Sequence, residues 1–236
     1  MTSDPSTFFS LIDQNGRDQN MTTRHLVEDQ PPVDRSPPWG CPKVLGIGGT
    51  TRAGSTTEQA LVIALQAAEV AGAEVQLLGG DFLAKLPIFD PRPGGPTSEQ
   101  RELVEAIAQA DGIIIATPGY HGSISGVIKN ALDSLDLGRD DQGLYLSNKP
   151  VGVIVTAGGS QAGGTSLMTL RAIVHALRGW PTPFGATLNA GAPLFDGGGS
   201  CLNPKDTLQL KTVAEQVVEF AHMKSALATA KLSFAN

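Results

Sequence analysis

The chain has few cysteines, few histidines and a small share of charged residues, which several protein classes require. Its 236 residues include two cysteines, Cys41 and Cys201, which are too few for a disulfide framework and show no metal-binding spacing. The four histidines are scattered, so we predict no metal site. Charged residues make up 17% and the net charge is -6, which disfavours nucleic acid as the main partner. Two free thiols are typical of a reducing compartment.

Long apolar runs and a basic leader are also missing. No apolar run reaches the roughly 18 residues that a helix needs to span a bilayer. The N-terminal stretch MTSDPSTFFSLIDQNGRDQN lacks the basic and apolar regions of a secretory signal. We therefore expect a soluble, cytoplasmic protein without a membrane partner.

The beginning of the chain differs from the rest. Residues 1–42 are polar and contain the Pro-rich stretch DQPPVDRSPPWGCP, which favours extended or irregular backbone. We predict a partly irregular N-terminal arm with one small apolar cluster at residues 8–12. Regular patterning starts at Lys43, so residues 43–236 are predicted to form one domain.

Within that domain, short apolar strands alternate with amphipathic helices. The predicted strands are KVLGIGG, AEVQLLGG, GIIIATP, KPVGVIVTAGG and a weaker PFGATLN. Helices are predicted over residues 55–71, 97–110, 125–137, 164–178 and from 204 onward. This alternation predicts an α/β fold with a five-stranded parallel sheet and helices on both faces. The order 2-1-3-4-5 is favoured over a Rossmann half, and either places ligands beyond the carboxyl ends of the strands.

Gly-rich loops follow strands 1, 3 and 4, which are neighbours in that order. The first, GGTTRAGSTT, opens a helix, whose free N–H groups and partial positive charge suit an anion. Arg52 adds a charge that can bind phosphate through two parallel hydrogen bonds. A Walker A loop needs Lys where Ser55 stands, and a dinucleotide fingerprint needs Gly where Thr51 stands. A monophosphate fits better, and a loop that only caps the helix is the alternative.

The other two loops suit a flat ring. In TPGYHGSISG, glycines leave the backbone open to a ligand, and Tyr120 and His121 can cover or edge a planar ring. In TAGGSQAGG, backbone N–H groups could face the pyrimidine edge of a flavin and stabilise the charge formed on reduction. Both could instead be ordinary turns. Ser123 and Ser160 lack the G-x-S-x-G context of a hydrolase nucleophile.

Five further polar residues on the predicted helices are weaker candidates. We interpret Lys129, Asn130 and Asp133 as packing or surface groups. Arg171 and His175 are four residues apart, and we interpret them as an exposed or subunit-facing pair. Since no carboxylate partner for a catalytic histidine is visible in the sequence either, we predict no catalytic side chain.

At these loops the sequence resembles the NAD(P)H-dependent FMN reductase family, which has the flavodoxin-like fold. The phosphate loop of that family stands here as GTTRAGSTT, with Thr50 in place of the usual Ser. Its second loop and following helix appear as PGYHGSISGVIKNALDSL, with Gly119 where Glu is frequent and Ser125 where Pro is frequent. The TAGG loop and the later LR pair also match, and the likeness covers about residues 43–190.

The resemblance implies a flavodoxin-like three-layer sandwich that binds FMN at the three loops. The contacts implied around the phosphate are Gly49, Thr50, Arg52, Ser55, Thr56 and Thr57. Those implied around the isoalloxazine ring are Pro118, Gly119, Tyr120, His121, Gly122 and Ser123. Those implied near the pyrimidine side of the ring are Thr156, Gly158 and Gly159.

The implied activity is hydride transfer from NADPH or NADH to FMN, and on to a small-molecule acceptor. Free flavin, a quinone, an azo compound and a metal oxyanion are the acceptor classes. The cofactor carries this chemistry, which explains why no catalytic dyad is found. The family generally forms dimers or tetramers, so a homodimer or homotetramer is expected. The alternatives are a non-enzymatic flavodoxin-like electron carrier and a flavin-free binding protein with the same fold.

Overall fold

The fold is described by a computed structural model over residues 40–92, 94–138 and 145–234. The predicted arm therefore lies outside the described residues, apart from residues 40–42. The strands are β1 (Lys43–Gly48), β2 (Glu74–Leu78), β3 (Gly112–Tyr120), β4 (Ser123–Ile124), β5 (Pro150–Ala157), β6 (Trp180–Pro181) and β7 (Ala186–Asn189). The helices are α1 (Thr56–Val70), α2 (Gly80–Leu83), α3 (Ser98–Gln109), α4 (Gly126–Asp133), α5 (Ser160–Ala176) and α6 (Pro204–Phe234), and a 3₁₀ turn spans Ser134–Gly138. None of the helices in these ranges is long and apolar enough to cross a membrane.

The parallel sheet has the predicted strand order. β2, β1, β3 and β5 lie side by side, and β6 and β7 share the position beside β5. β6 pairs with Pro150 and Val151, whereas β7 pairs with residues 154–157. β7 lies within the predicted fifth strand, PFGATLN, whereas β6 precedes that stretch and was not predicted. Pro183, between β6 and β7, has no N–H for the ladder.

Helices cover both faces of this sheet, as the alternating pattern predicts. α1 and α6 pack on one face, and α3, α4 and α5 pack on the other. In β3, Ile113 and Ile115 lie in the core under α3, α4 and α5, while Ile114 between them lies in the core under α1 and α6. Successive strand side chains point to opposite faces, so one apolar strand contributes to both cores.

Helix starts follow the residues that cap them. Thr97 and Gln100 form the predicted capping box at the start of α3. α5 starts at Ser160 rather than near residue 164, because Gly159 adopts an extended conformation and its carbonyl accepts from Gly163 N at 3.0 Å. The glycines at the start of this helix thus lie inside its first turns. The connection from β5 to α5 is therefore shorter than predicted.

Candidate functional site

Three loops meet at the carboxyl edge of the sheet. β1, β3 and β5 are adjacent, and their last paired residues include Gly48 with Ala116 and Pro118 with Thr156. The loops that follow these strands therefore begin beside one another, as the strand order predicts. We name them the first loop (residues 49–55), the second loop (residues 118–125) and the third loop (residues 158–159).

The first loop is folded by its own hydroxyls and by a carboxylate. Thr50 Oγ1 accepts from Arg52 N at 3.1 Å, and Ser55 Oγ accepts from Glu58 N at 3.3 Å. Glu58 Oε1 accepts from Gly54 N at 3.0 Å. Arg52 is exposed, whereas Ser55 is buried as the N-cap of α1. The loop thus combines an exposed guanidinium with a helix start, the two groups that favour an anion.

Two threonine hydroxyls join the first helix to the end of β5, just before the third loop. Thr57 Oγ1 lies 2.6 Å from Thr156 Oγ1, and the residues are only 2% and 4% exposed. Thr57 is in the first turn of α1, and Thr156 is the penultimate residue of β5. Because one hydroxyl donates to the other, the pair keeps one further O–H for another acceptor.

The second loop is a tight hairpin, which the sequence interpretation missed. β4 pairs antiparallel with the end of β3, so that Tyr120 lies opposite Ser123. His121 and Gly122 between them have φ values of +52° and +80°, as a two-residue type I′ turn requires. Tyr120 is 53% exposed and His121 is also exposed. The turn therefore presents an aromatic ring and an imidazole at the surface beside the other two loops.

α5 packs closely against the second loop. Ser166 Oγ on this helix donates to Ser123 O at 3.1 Å. A Cβ at Gly119 would lie 3.0 Å from both Ala157 Cβ and Ser166 Oγ. A side chain at this position would therefore require Ala157 or Ser166 to shift by a few tenths of an ångström.

Ser125 closes the second loop and starts α4. Its N–H donates to the buried Thr117 Oγ1 at 3.0 Å, and its own Oγ accepts from Ile128 N at 3.5 Å. Proline, which is frequent at this position in the family, has no N–H and could not make the bond to Thr117. The departure at Ser125 thus replaces a rigid ring with two hydrogen bonds.

The third loop leaves the start of α5 open. Gly159 is the N-cap of α5, and no side chain caps this helix. A Cβ on Gly158 or on Gly159 would meet no other atom within 4 Å. The first N–H groups of α5 therefore lack a side-chain acceptor, and a ligand oxygen can approach them closely.

Sequence reasoning missed the role of Glu58. The stretch STTE has capping-box spacing, which predicts a carboxylate bound to Ser55 N. Instead, the carboxylate binds Gly54 N at 3.0 Å and Gly80 N at 2.6 Å. The spacing could have drawn attention to Glu58, but the contact with Gly80 comes from a different part of the chain.

Residues on α4 lie outside the three loops. Lys129 and Asp133 form an exposed ion pair at 2.7 Å. Asn130 Oδ1 accepts from Phe89 N at 2.8 Å, and its Nδ2 donates to Pro87 O at 2.9 Å. Their interpretation as surface and packing groups is confirmed. Within the described ranges, no group of three or more His, Cys, Asp or Glu side chains is placed to hold a metal ion.

Arg171 has a structural role rather than the predicted one. Its Nη1 donates to Thr182 O at 2.6 Å, which ties α5 to the segment between β6 and β7. Arg171 is half-buried and His175 is exposed, so the pair is not exposed at Arg171, and its subunit-facing alternative stays a prediction. Thr182 lies just before Pro183, where the pairing with β5 is interrupted between β6 and β7.

The loops and the sheet have counterparts in known proteins. A family model described as NADPH-dependent FMN reductase matches residues 42–192. The FMN-dependent NADPH-azoreductase of Staphylococcus aureus is 36% identical over 144 residues, which are 60% of this chain and 71% of that protein. The residues matched by the family model include all three loops.

Solved structures share the fold. FerB, a flavoenzyme NAD(P)H:(acceptor) oxidoreductase from Paracoccus denitrificans, has a TM-score of 0.64 at 20% identity, covering 77% of this chain and 98% of FerB. A flavodoxin from the domain Archaea has a TM-score of 0.54 at 10% identity, covering 76% of this chain and 99% of the flavodoxin. The fold is thus flavodoxin-like, as the resemblance in the loops implies.

Proposed function

Because this chain belongs to the NADPH-dependent FMN reductase family, we propose that its three loops bind FMN and present it to a nicotinamide and then to a small-molecule acceptor. The observation that carries the proposal is the position of the three loops at one edge of the sheet, with the Thr57–Thr156 bond joining α1, which follows the first loop, to β5, which precedes the third. When bound, FMN supplies the hydride and electron chemistry. The residues of the chain bind and orient the reactants.

The donor set of the first loop fits a phosphate monoester. Ser55 Oγ accepts from Glu58 N, so its own O–H can donate to an anion. The amides of Thr56 and Thr57 open α1, and no preceding helical turn supplies their acceptors. Arg52 provides the positive charge and is exposed. We propose that Gly49, at φ +108°, lets the backbone turn so that these donors face one oxyanion.

The second and third loops fit the two sides of a planar ring. Tyr120 and His121 stand exposed on the hairpin and can contact the ring from one side. Gly158 and Gly159 leave the first amides of α5 open, and these can donate to oxygens of the ring. Such fixed donors stabilise negative charge that forms on the ring during reduction.

No side chain needs to act as a nucleophile or a strong base in this chemistry. The main tasks of the residues are to align the donor with the ring and to limit its movement. We therefore assign binding and positioning roles to all residues of the three loops and a catalytic role to none.

The test is reduction of flavin by each nicotinamide. Protein saturated with FMN is mixed anaerobically with NADPH and with NADH, and flavin absorbance is followed. We expect bleaching, then recovery of absorbance when an acceptor is added. The azoreductase among the relatives makes an azo dye the first acceptor to try, followed by a quinone and free flavin. Failure to bind FMN contradicts the proposal.

A flavin that binds but is reduced by neither nicotinamide favours the non-enzymatic electron carrier. The phosphate loop argues against that alternative, because flavodoxins usually have a T-x-T-G-x-T loop, whereas this loop contains Arg52. Membership of the reductase family argues in the same direction.

We also propose that the chain forms a homodimer or homotetramer, as its family generally does. Large apolar side chains on and beside α6 support an interface, because Trp180, Met223 and Leu227 are 54%, 55% and 57% exposed. Light scattering of the full chain tests this, and a monomer at micromolar concentration contradicts it.

A further inference from the structure

One carboxylate joins the first loop to the turn after β2. Glu58 Oε1 accepts from Gly54 N at 3.0 Å, and Glu58 Oε2 accepts from Gly80 N at 2.6 Å. Gly54 lies near the end of the first loop, and Gly80 is the first residue of α2. A single side chain therefore fixes two backbone segments that lie beyond the ends of β1 and β2.

The backbone around this carboxylate is packed too closely for larger residues. A Cβ on Gly79 would lie 2.8 Å from Glu58 Oε2, and one on Gly49 would lie 3.2 Å from the same atom. A Cβ on Gly80 would lie 2.3 Å from Thr50 O. The first loop and the turn after β2 thus pack backbone against backbone, with the carboxylate between them.

Glu58 reaches away from the proposed ring site. Thr57, its neighbour on α1, contacts Thr156 on β5, whereas Glu58 contacts Gly80, which follows β2. β2 and β5 lie on opposite sides of β1 in the sheet. The carboxylate therefore holds the flank of the first loop that faces away from the second and third loops.

We infer that Glu58 is a positioning residue for the phosphate of FMN: it holds the first loop in the shape in which the free donors converge on one oxyanion. The inference rests on the proposed function. A carboxylate near a phosphate also repels it, so the two effects have opposite signs. Its location on the far flank and its two amide hydrogen bonds make positioning the larger effect.

Two substitutions separate positioning from repulsion. Glu58→Gln removes the charge and offers one acceptor oxygen, so its amide nitrogen would face a second N–H. Glu58→Asp keeps the charge but is one methylene too short to span both amides. Positioning predicts weaker FMN binding in both variants, whereas repulsion predicts tighter binding in Glu58→Gln and no change in Glu58→Asp.

The experiment compares FMN with riboflavin, which lacks the phosphate. Dissociation constants of the full chain for both flavins are measured by fluorescence quenching for wild type, both Glu58 variants and the control Glu69→Gln. Glu69 is exposed in the last turn of the same helix. We expect each Glu58 variant to lose about tenfold in FMN affinity, the scale of one charge-assisted hydrogen bond, with riboflavin affinity within about twofold of wild type.

The possible outcomes are distinct. Unchanged or tighter FMN binding in Glu58→Gln overturns the inference, as does an equal loss for riboflavin, which would indicate general damage to the fold. If Glu58→Gln does not fold, as judged by circular dichroism, Glu58→Asp decides. Wild-type protein without any preference for FMN over riboflavin would contradict the proposed function itself, before any substitution is considered.

Discussion

The hydroxyl oxygens of Thr57 and Thr156 lie 2.6 Å apart although the residues are 99 positions apart in sequence. This buried bond links the first turn of α1 to the end of β5. The start of α1 and the end of β5 therefore cannot separate without leaving a polar group unsatisfied, which is costly in a buried environment. The protein itself thus sets the spacing between the proposed phosphate and pyrimidine sites.

We expect Thr156→Val to lower the free energy of unfolding by about 1–3 kcal/mol, because Thr57 would keep a buried hydroxyl without its partner. The double variant Thr57→Val/Thr156→Val should recover part of that loss, since both polar groups are then replaced by methyl groups. Urea unfolding measures both. Thr187→Val, at an exposed position of β7, is the control and should change stability by less than about 0.5 kcal/mol. Additive losses in the double variant would contradict the coupling.

Arg52→Ala should weaken FMN binding by about 1.5–3 kcal/mol, the contribution of a charge-assisted hydrogen bond to phosphate. The dissociation constant is measured by fluorescence titration, with riboflavin as the phosphate-free comparison. The matched control is Arg178→Ala, since Arg178 is exposed after the end of α5, away from the three loops. Equal FMN affinity in Arg52→Ala and wild type would show that Arg52 does not bind the phosphate.

Gly119→Ala should cost about 1–3 kcal/mol of stability, because its Cβ would stand 3.0 Å from Ala157 Cβ and Ser166 Oγ. Flavin binding should weaken as well, since the hairpin must move away from α5. Thermal unfolding and flavin titration test this. Gly126→Ala is the control: a Cβ there meets nothing within 4 Å, and alanine favours the helix. A Gly119→Ala variant with unchanged stability and flavin affinity would show that α5 moves easily to make room for the Cβ.

The stability of the protein should depend on pH through the titration of Lys149. Its Nζ donates to Ala108 O at 3.1 Å and to Ala110 O. Burial lowers the pKa of Lys149 below its ordinary 10.5, and Lys224 lowers it further, while Asp111 opposes both. The folded state then releases this proton at lower pH than the unfolded state does. The contribution of Lys149 to stability should therefore rise as pH increases through the lowered pKa toward 10.5.

The measurement for Lys149 is the difference in unfolding free energy between wild type and Lys149→Met, from urea titrations between neutral pH and about pH 10. The unfolding free energy of wild type should increase relative to that of Lys149→Met as pH rises. A difference that stays constant or shrinks over this range would contradict the lowered pKa.

The framework of the fold was predictable because its signals are local. Leu61, Leu65 and Ala68 recur at helical spacing, and all three are buried against the sheet. Continuous apolar runs such as GIIIATP mark strands covered on both faces. Alternation of these two patterns then favoured the strand order 2-1-3-4-5, which places the three loops at one edge.

Contacts between distant residues were not predictable from one sequence. The residues around Thr57 in the sequence do not indicate that its partner is Thr156, and those around Glu58 do not indicate that its partner is Gly80. Three short elements were also missed. β4 and β6 have two residues each and α2 has four, so none is long enough to show a period of its own. β4 and α2 border the site, and the binding roles of its residues remain predictions for the experiments above.

The split between β6 and β7 has a consequence for how copies of this chain can associate. On this side of the sheet the outermost backbone consists of a two-residue strand and a four-residue strand, with Pro181 at the end of β6 and Pro183 between the two strands. Such a border offers few consecutive N–H and C=O groups to a strand from another molecule. A continuous β-sheet between subunits through this border, and fibre growth through it, are therefore disfavoured.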